Sequence, residues 1–369
     1  MGEIKTHIAE DASIMTRKVS RRSFLATSGA ASLGIVAQAR MARGQSPETL
    51  NVGLSPFINQ ATIFMANDLG LFSKLGLEIR MKIFMDGALV VAPMVSSELD
   101  IGVMTPNAGF FNSLYRGGPY RAFLCNGQGR RGRAVTAVVI RSDHYEAGIR
   151  TVQELTRLKG KVAAVGAAGS INQYGLGSAL KLAGLNPAPD VQWQTTVPQP
   201  DIVKQLGQKQ VDVAEITYHL AYLAQKQGFC RIMVARDEIV PDSQTAMQTA
   251  RDELLAKRRD AIVRYSMACM HAGRIFNQVA GEPDRYPDML KLIVKSILPR
   301  DEELLKAVAP HWEWIAEDGK PNIGSIMQQQ EFWADTFKFV DNKVPQDRII
   351  DSGIAAEAAQ RLAAEKPFG

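Results

Sequence analysis

Glu215 stands near the end of the run Val211-Asp212-Val213-Ala214-Glu215-Ile216, which is followed at once by Thr217, Tyr218 and His219. A carboxylate at the end of an otherwise apolar strand is costly to bury without a partner. It is therefore solvated, paired with an arginine, or turned towards a ligand amine. A second polar set, Gly169-Ser170-Ile171-Asn172-Gln173-Tyr174, follows a strand and opens a helix. Free N–H groups there, with the Ser170 hydroxyl, can meet an anion or a carbonyl oxygen. Three more turns stand in the same position: Ser55-Pro56-Phe57-Ile58-Asn59-Gln60, Asp86-Gly87 and Thr105-Pro106-Asn107. Open α/β sheets bind ligands at the carboxyl ends of their strands. The expected contacts are therefore Ser55, Phe57, Asn59, Asp86, Gly87, Thr105, Pro106 and Asn107 from one series, with Ser170, Asn172, Gln173, Tyr174, Glu215 and Tyr218 from the other.

Plainer roles compete with these. Asn59, Thr105 and Ser170 suit turns and caps. Phe57 and Tyr174 either stack on a planar ligand or plug a core, and His219 suits a helix surface. Arg130, Arg131 and Arg133 either clamp a sulfonate or carboxylate bidentately or form a solvated basic linker. Glu215 and these arginines pull opposite ways, because a lone pocket carboxylate repels nitrate but tolerates a zwitterion or an aminopyrimidine.

Catalytic patterns are missing from the sequence. It has no GxSxG elbow, no GxxxxGK[ST] loop and no GxGxxG between a strand and a helix. Gly127-Gln128-Gly129-Arg130-Arg131-Gly132 has the GxGxxG spacing but precedes a strand where the motif requires a helix. The histidines His144, His219, His271 and His311 show no metal-ligand spacing, and neither do Cys125, Cys230 and Cys269. Cys125 and Cys230 fall in predicted strands and read as small buried apolar residues. The sequence predicts no cofactor and no enzyme.

The elements that must carry these turns alternate between strand and helix, the mark of an α/β chain. Strands are expected at 49–53, 77–84, 101–104 and 120–125. After the Gly/Arg-rich crossover at 126–133 they recur at 135–140, 161–166, 191–196, 211–216 and 229–235. Thr151-x-x-Glu154 and Ser170-x-x-Gln173 are capping boxes. Beyond Pro241 the pattern predicts long helices at about 244–280, 286–297, 301–309, 323–340 and 353–364. No internal repeat stands out.

The chain has 369 residues and a formal net charge of +5, enough for two lobes with their own cores. Lys18, Arg21 and Arg22, the broken apolar stretch Phe24 to Val36, and Ala37-Gln38-Ala39 together form an export signal with a cleavage site. The pair in Ser20-Arg21-Arg22-Ser23-Phe24-Leu25 marks the twin-arginine route. Removing residues 1–39 takes five basic and three acidic residues away and leaves +3, too little to argue for nucleic acid. No segment is apolar for long enough to stay in a bilayer after that removal.

The order of several motifs resembles the periplasmic solute-binding proteins of ABC importers for nitrate, taurine, aliphatic sulfonates and thiamine-precursor pyrimidines. They are Ala66-x-x-x-Gly70-x-Phe72-x-x-x-Gly76-Leu77-x-Ile79, Glu98-Leu99-Asp100-Ile101-Gly102, Leu158-Lys159-Gly160-Lys161-Val162-Ala163 with Gly169-Ser170, Val211-Asp212-Val213, and Val344-Pro345 to Ile350-Asp351. Together they span most of 49–355. The resemblance implies a type II periplasmic-binding-protein fold, with lobe 1 at 48–131 plus 237–369 and lobe 2 at 132–236. It further implies two crossover strands, C-terminal helices on lobe 1, and a hinged cleft that closes on a small organic solute. The implied protein is a periplasmic monomer that delivers its solute to an ABC permease. Its alternatives are a pyrimidine-precursor-synthesis-like enzyme of the same fold and a receptor feeding a sensor. Ser97 and Gln210 depart from the glycine common before the acidic strand start, and Gln173 from a histidine found in several members.

Overall fold

The alternation of strand and helix resolves into two five-stranded sheets of the same design. A computed structural model describes residues 46–84 and 87–369, so the export-signal reading at 1–39 and Asp86 lie outside the described residues. The strands are β1 (Glu48–Leu54), β2 (Leu77–Ile83), β3 (Ile101–Met104), β4 (Tyr120–Gln128), β5 (Thr136–Arg141), β6 (Val162–Ala164), β7 (Gln192–Gln194), β8 (Val213–Thr217), β9 (Cys230–Ala235) and β10 (Gln244–Arg251). One sheet has the order β2-β1-β3-β10-β4 and the other β7-β6-β8-β5-β9. In each, three parallel strands are followed by one that runs against them, β10 or β5, and by an edge strand, β4 or β9, that runs with the first three. This is the two-lobed periplasmic-binding-protein fold.

The likeness between the sheets extends to single residues. Asp100, just before β3, accepts from Asn51 N of β1 at 2.9 Å and pairs with Arg251 at 2.9 Å. Asp212, just before β8, accepts from Val162 N of β6 at 2.8 Å and pairs with Arg141 at 2.8 Å. Each carboxylate pins the register of two parallel strands and has its charge met by an arginine from the neighbouring antiparallel strand. The sequence hides this repeat because the partner arginine follows the aspartate in one sheet and precedes it in the other.

The expected helix at 244–280 is corrected at its start. Residues 244–251 are β10, antiparallel between β3 and β4, and helix begins only at Asp252–Lys257 and Arg259–Gly281. β10 is buried along nearly its whole length, so neither face alternates with a polar one. Three of its polar side chains are satisfied inside the protein, while Thr245 Oγ1 is not. Gln244 donates to Gly127 O at 2.9 Å, Gln248 to Asn126 Oδ1 at 2.9 Å, and Thr249 to Gly102 O at 2.8 Å.

Helix Arg259–Gly281 buries Ile262, Tyr265, Met267 and Phe276 in the largest apolar core, which also takes in β1 and the helices Ala61–Asp68 and Gly353–Glu365. Two smaller cores, one around Val138, Leu176 and Leu180 and one around Val139, Ile202 and Ile216, flank the second sheet. Cys125, Cys230 and Cys269 are all buried and free. Among the described residues no helix is long and apolar enough to cross a membrane.

Candidate functional site

Turns from both sheets converge on one cavity of about 320 Å³, within the size range of small-molecule sites. From the first sheet come the turn after β1 and the turn after β3. Asn59 is fixed through its carbonyl, which accepts from Asn126 Nδ2 at 3.0 Å. Asn107 caps the helix Ala108–Tyr115, its Oδ1 accepting from Phe110 N at 2.8 Å and its Nδ2 donating to Thr105 Oγ1 at 2.9 Å. From the second sheet, Ser170 caps the helix Ile171–Leu182 by accepting from Gln173 N at 3.3 Å. Asn172 Nδ2 donates to the carbonyl of Glu215 at 3.1 Å. The two helix starts meet where Ala108 N donates to Gly169 O at 3.2 Å. A second bridge is the Tyr218 ring, which stacks on His311 with centroids 3.7 Å apart and planes 13° apart.

Of the expected contacts, Phe57, Asn59, Gly87, Thr105, Asn107, Ser170, Asn172 and Tyr218 line this cavity. The others are placed elsewhere. Ser55 is fully buried, with its N–H donating to Gln60 Oε1. Pro106 is buried and gives its carbonyl to Trp333 Nε1 at 3.3 Å. Gln173 turns back to accept from Gly169 N at 2.7 Å. Tyr174 packs edge-on against Phe332, with centroids 4.9 Å apart, and so plugs the core. Of the basic linker, Arg130 and Arg131 are exposed, Arg130 lies over the Trp314 ring at 4.3 Å, and none of the three arginines lines the cavity.

Glu215 takes the arginine-paired alternative. It is fully buried and does not line the cavity. Its Oε1 accepts from Thr136 Oγ1 and from Arg236 Nε, each at 2.6 Å, and Arg236 Nη2 approaches the same oxygen. Burial pushes the Glu215 carboxyl above its ordinary range, opposed by the Arg236 charge and the Thr136 hydroxyl. Gly175 provides the space, since a Cβ there would stand 2.7 Å from the Glu215 Cδ. Glu215 thus sits behind Arg236, and Arg236 itself reaches the cavity wall.

Arg236, Thr245, Trp312 and Glu313 are lining residues that the sequence reading missed. Arg236 follows the carboxyl end of β9, so the rule that singled out the other turns applies to it too. Glu313 had one available signal, an acid between Trp312 and Trp314. Both are almost wholly buried, at 2 % and 1 % exposure. Arg236 Nη1, Trp312 Nε1, Thr245 Oγ1, Asn59 Oδ1 and both carboxylate oxygens of Glu313 lack a hydrogen-bond partner. Buried polar groups are ordinarily paired, so such a group around one cavity is fitted to something that enters it. Burial drives the Glu313 carboxyl up, held back by the nearby Thr245 hydroxyl, the Arg236 charge and the Asn59 amide. His219 and His311 also line the space, and burial lowers both, His219 to about 4. Among the described residues no group of three or more His, Cys, Asp or Glu is placed to hold a metal ion.

The model of the NMT1-like family matches residues 43–294. No curated protein matches the sequence significantly. Among solved structures, the periplasmic aliphatic sulphonate binding protein SsuA from Escherichia coli is similar at 18 % identity. The match covers 83 % of this chain and 93 % of that one, with a TM-score of 0.63. The periplasmic nitrate-binding protein NrtA from Synechocystis PCC 6803 is 13 % identical over 87 % and 91 %, with a TM-score of 0.67. The desulfurization enzyme DSZB is also similar, at 13 % identity over 85 % and 99 % and a TM-score of 0.56. At these identities the likeness concerns the fold.

Proposed function

The chain belongs to the NMT1-like family, and on that premise we propose that it is an exported solute-binding protein that captures a small organic molecule between its lobes and hands it to an ABC permease. One observation carries the reading: the cavity is walled by turns of both sheets and lined by buried polar groups without partners. A ligand that satisfies groups from both lobes binds the closed form more tightly than the open one and shifts the population towards it. The lobe limits proposed are 48–131 plus 237–369 and 132–236, in keeping with the strand membership of the two sheets. Residues 1–39 are proposed as a twin-arginine signal, which makes the working compartment the periplasm, and the mature protein is proposed as a monomer.

Sulfonates, taurine-like zwitterions and aminopyrimidine-like compounds are the solute classes in view, and the first is in keeping with the name of one similar binding protein. The fold is also that of an enzyme, so the lining must separate the two readings. Binding is favoured because the lining presents buried donors and acceptors without partners and no short contact between a hydroxyl and a base. Ser170 Oγ serves as a helix cap, and Thr217 Oγ1 stands 3.5 Å from His219 Nε2. Thermal shift against sulfonates, carboxylates, taurine, amidines, aminopyrimidines and nitrate tests the proposal. A solute at 100 times its Kd adds about 2.7 kcal/mol of stability. Folded protein that responds to no member of a broad panel sinks it.

A further inference from the structure

The charges buried around the cavity do not balance. Arg236 is the lining guanidinium and Glu313 the lining carboxyl group among the described residues, and burial favours the neutral form of both lining histidines. The Arg236 cation is already matched by Glu215, which grips it through Nε and Nη2 from behind. Glu313 has no such counter-ion, and neither of its oxygens has a hydrogen-bond partner. Beside it stand the Thr245 hydroxyl and the Asn59 amide, and Thr245 Oγ1 and Asn59 Oδ1 are themselves without hydrogen-bond partners. Gly127 keeps the place open: a Cβ there would run into Glu313 Oε2 and stand 2.8 Å from Thr245 Oγ1. The opposite need is met by donors, with Arg236 Nη1 and Trp312 Nε1 both free.

A buried carboxylate without a partner costs several kcal/mol, which a cation with N–H donors removes on arrival. Given the reading of this cavity as the solute site, we propose that Glu313 seats a cationic N–H group, so that the solute is an ammonium or amidinium compound whose other end offers an acceptor to Arg236. A simple anion fills only half of this site and faces the Glu313 charge.

Matched pairs test this on the wild-type protein: taurine against isethionate, and benzamidine against benzamide, within a wider set of sulfonates, carboxylates, aminopyrimidines and nitrate. Thermal shift identifies binders at pH 7.5, and calorimetry gives their Kd. The expected result is that every binder carries a cationic N–H donor and that its neutral or hydroxyl counterpart binds at least ten-fold more weakly. Glu313→Gln should weaken that binder at least ten-fold while leaving the ligand-free melting temperature unchanged or higher, because a buried charge has been removed. Tight binding of isethionate or nitrate, undiminished in Glu313→Gln, overturns the seat assigned to Glu313 and leaves solute binding intact. A panel without any binder overturns the solute-site reading, and this inference with it.

Discussion

Arg236→Met leaves the fully buried Glu215 without its counter-ion, and the cost can be worked out. The variant must either bury a bare carboxylate or protonate it. Holding a carboxyl of ordinary pKa 4.5 protonated at pH 7 costs about 3 kcal/mol, and at pH 5 about 0.7 kcal/mol. Lost hydrogen bonds add about 1 kcal/mol. The total is up to about 4 kcal/mol at pH 7 and about 2 kcal/mol at pH 5, in the range found when one member of a buried pair is removed. The sign follows from linkage: a carboxyl raised in the folded state contributes stability below its unfolded pKa, and that contribution is lost as pH rises. The gap between variant and wild type therefore widens from pH 5 to pH 7. Urea unfolding followed by circular dichroism at both pH values measures it. Adding Glu215→Gln to Arg236→Met removes the remaining charge and should recover much of the loss, with a coupling of at least about 1.5 kcal/mol. A single-variant loss below about 1 kcal/mol at pH 7, or additive single and double variants, would refute the account of Glu215 as a paired and desolvated ion.

Two further outcomes follow from neighbouring groups. His219, lowered to about 4 from an ordinary 6.5, stays neutral in the folded state while the unfolded chain takes up a proton. Stability should fall between pH 6.5 and pH 4 by at most about 3 kcal/mol, and His219→Gln should flatten that part of the pH profile in urea melts. Gly175→Ala gains about 1 kcal/mol of helix propensity but drives its methyl into the Glu215 carboxyl, so we expect a net loss of about 1–3 kcal/mol. A raised urea midpoint would show that Glu215 yields easily and that the close approach is unimportant.

Most of the fold could be read in the sequence because its strands are short apolar runs with helices between them. β3 is found at its expected limits, 101–104, and β2 ends one residue short of its expected end at Phe84. β10 was illegible because a strand buried on both faces, with buried glutamines and threonines among its residues, has lost the alternation that identifies strands. The site was legible in part. Asn59, Asn107 and Ser170 stand at strand ends, where the topology of any open α/β sheet predicts a ligand. The charges were harder. Glu215 and Arg236 are 21 residues apart, and local spacing holds no sign of their pairing. Glu313 comes to the cavity from a segment between helices, placed there by tertiary packing alone.

The position of β10 also governs when the first sheet can form. β3 and β4 share no hydrogen bonds in the sheet order; β10 is the strand between them. As the chain leaves the ribosome, β1 to β4 emerge before any of the second sheet, yet they must wait for about 115 further residues before β10 arrives. The second sheet, by contrast, has all its strands within 136–235. β5, which lies between β8 and β9, comes first, and the other strands follow in one uninterrupted stretch. The later-made lobe is therefore the one able to close first, and the earlier-made lobe is completed last. During that interval the flanks of β3 and β4 are unpaired edges, the kind of surface on which nascent chains associate wrongly. The order in which the two sheets begin and the order in which their strands are complete run opposite to each other in this chain.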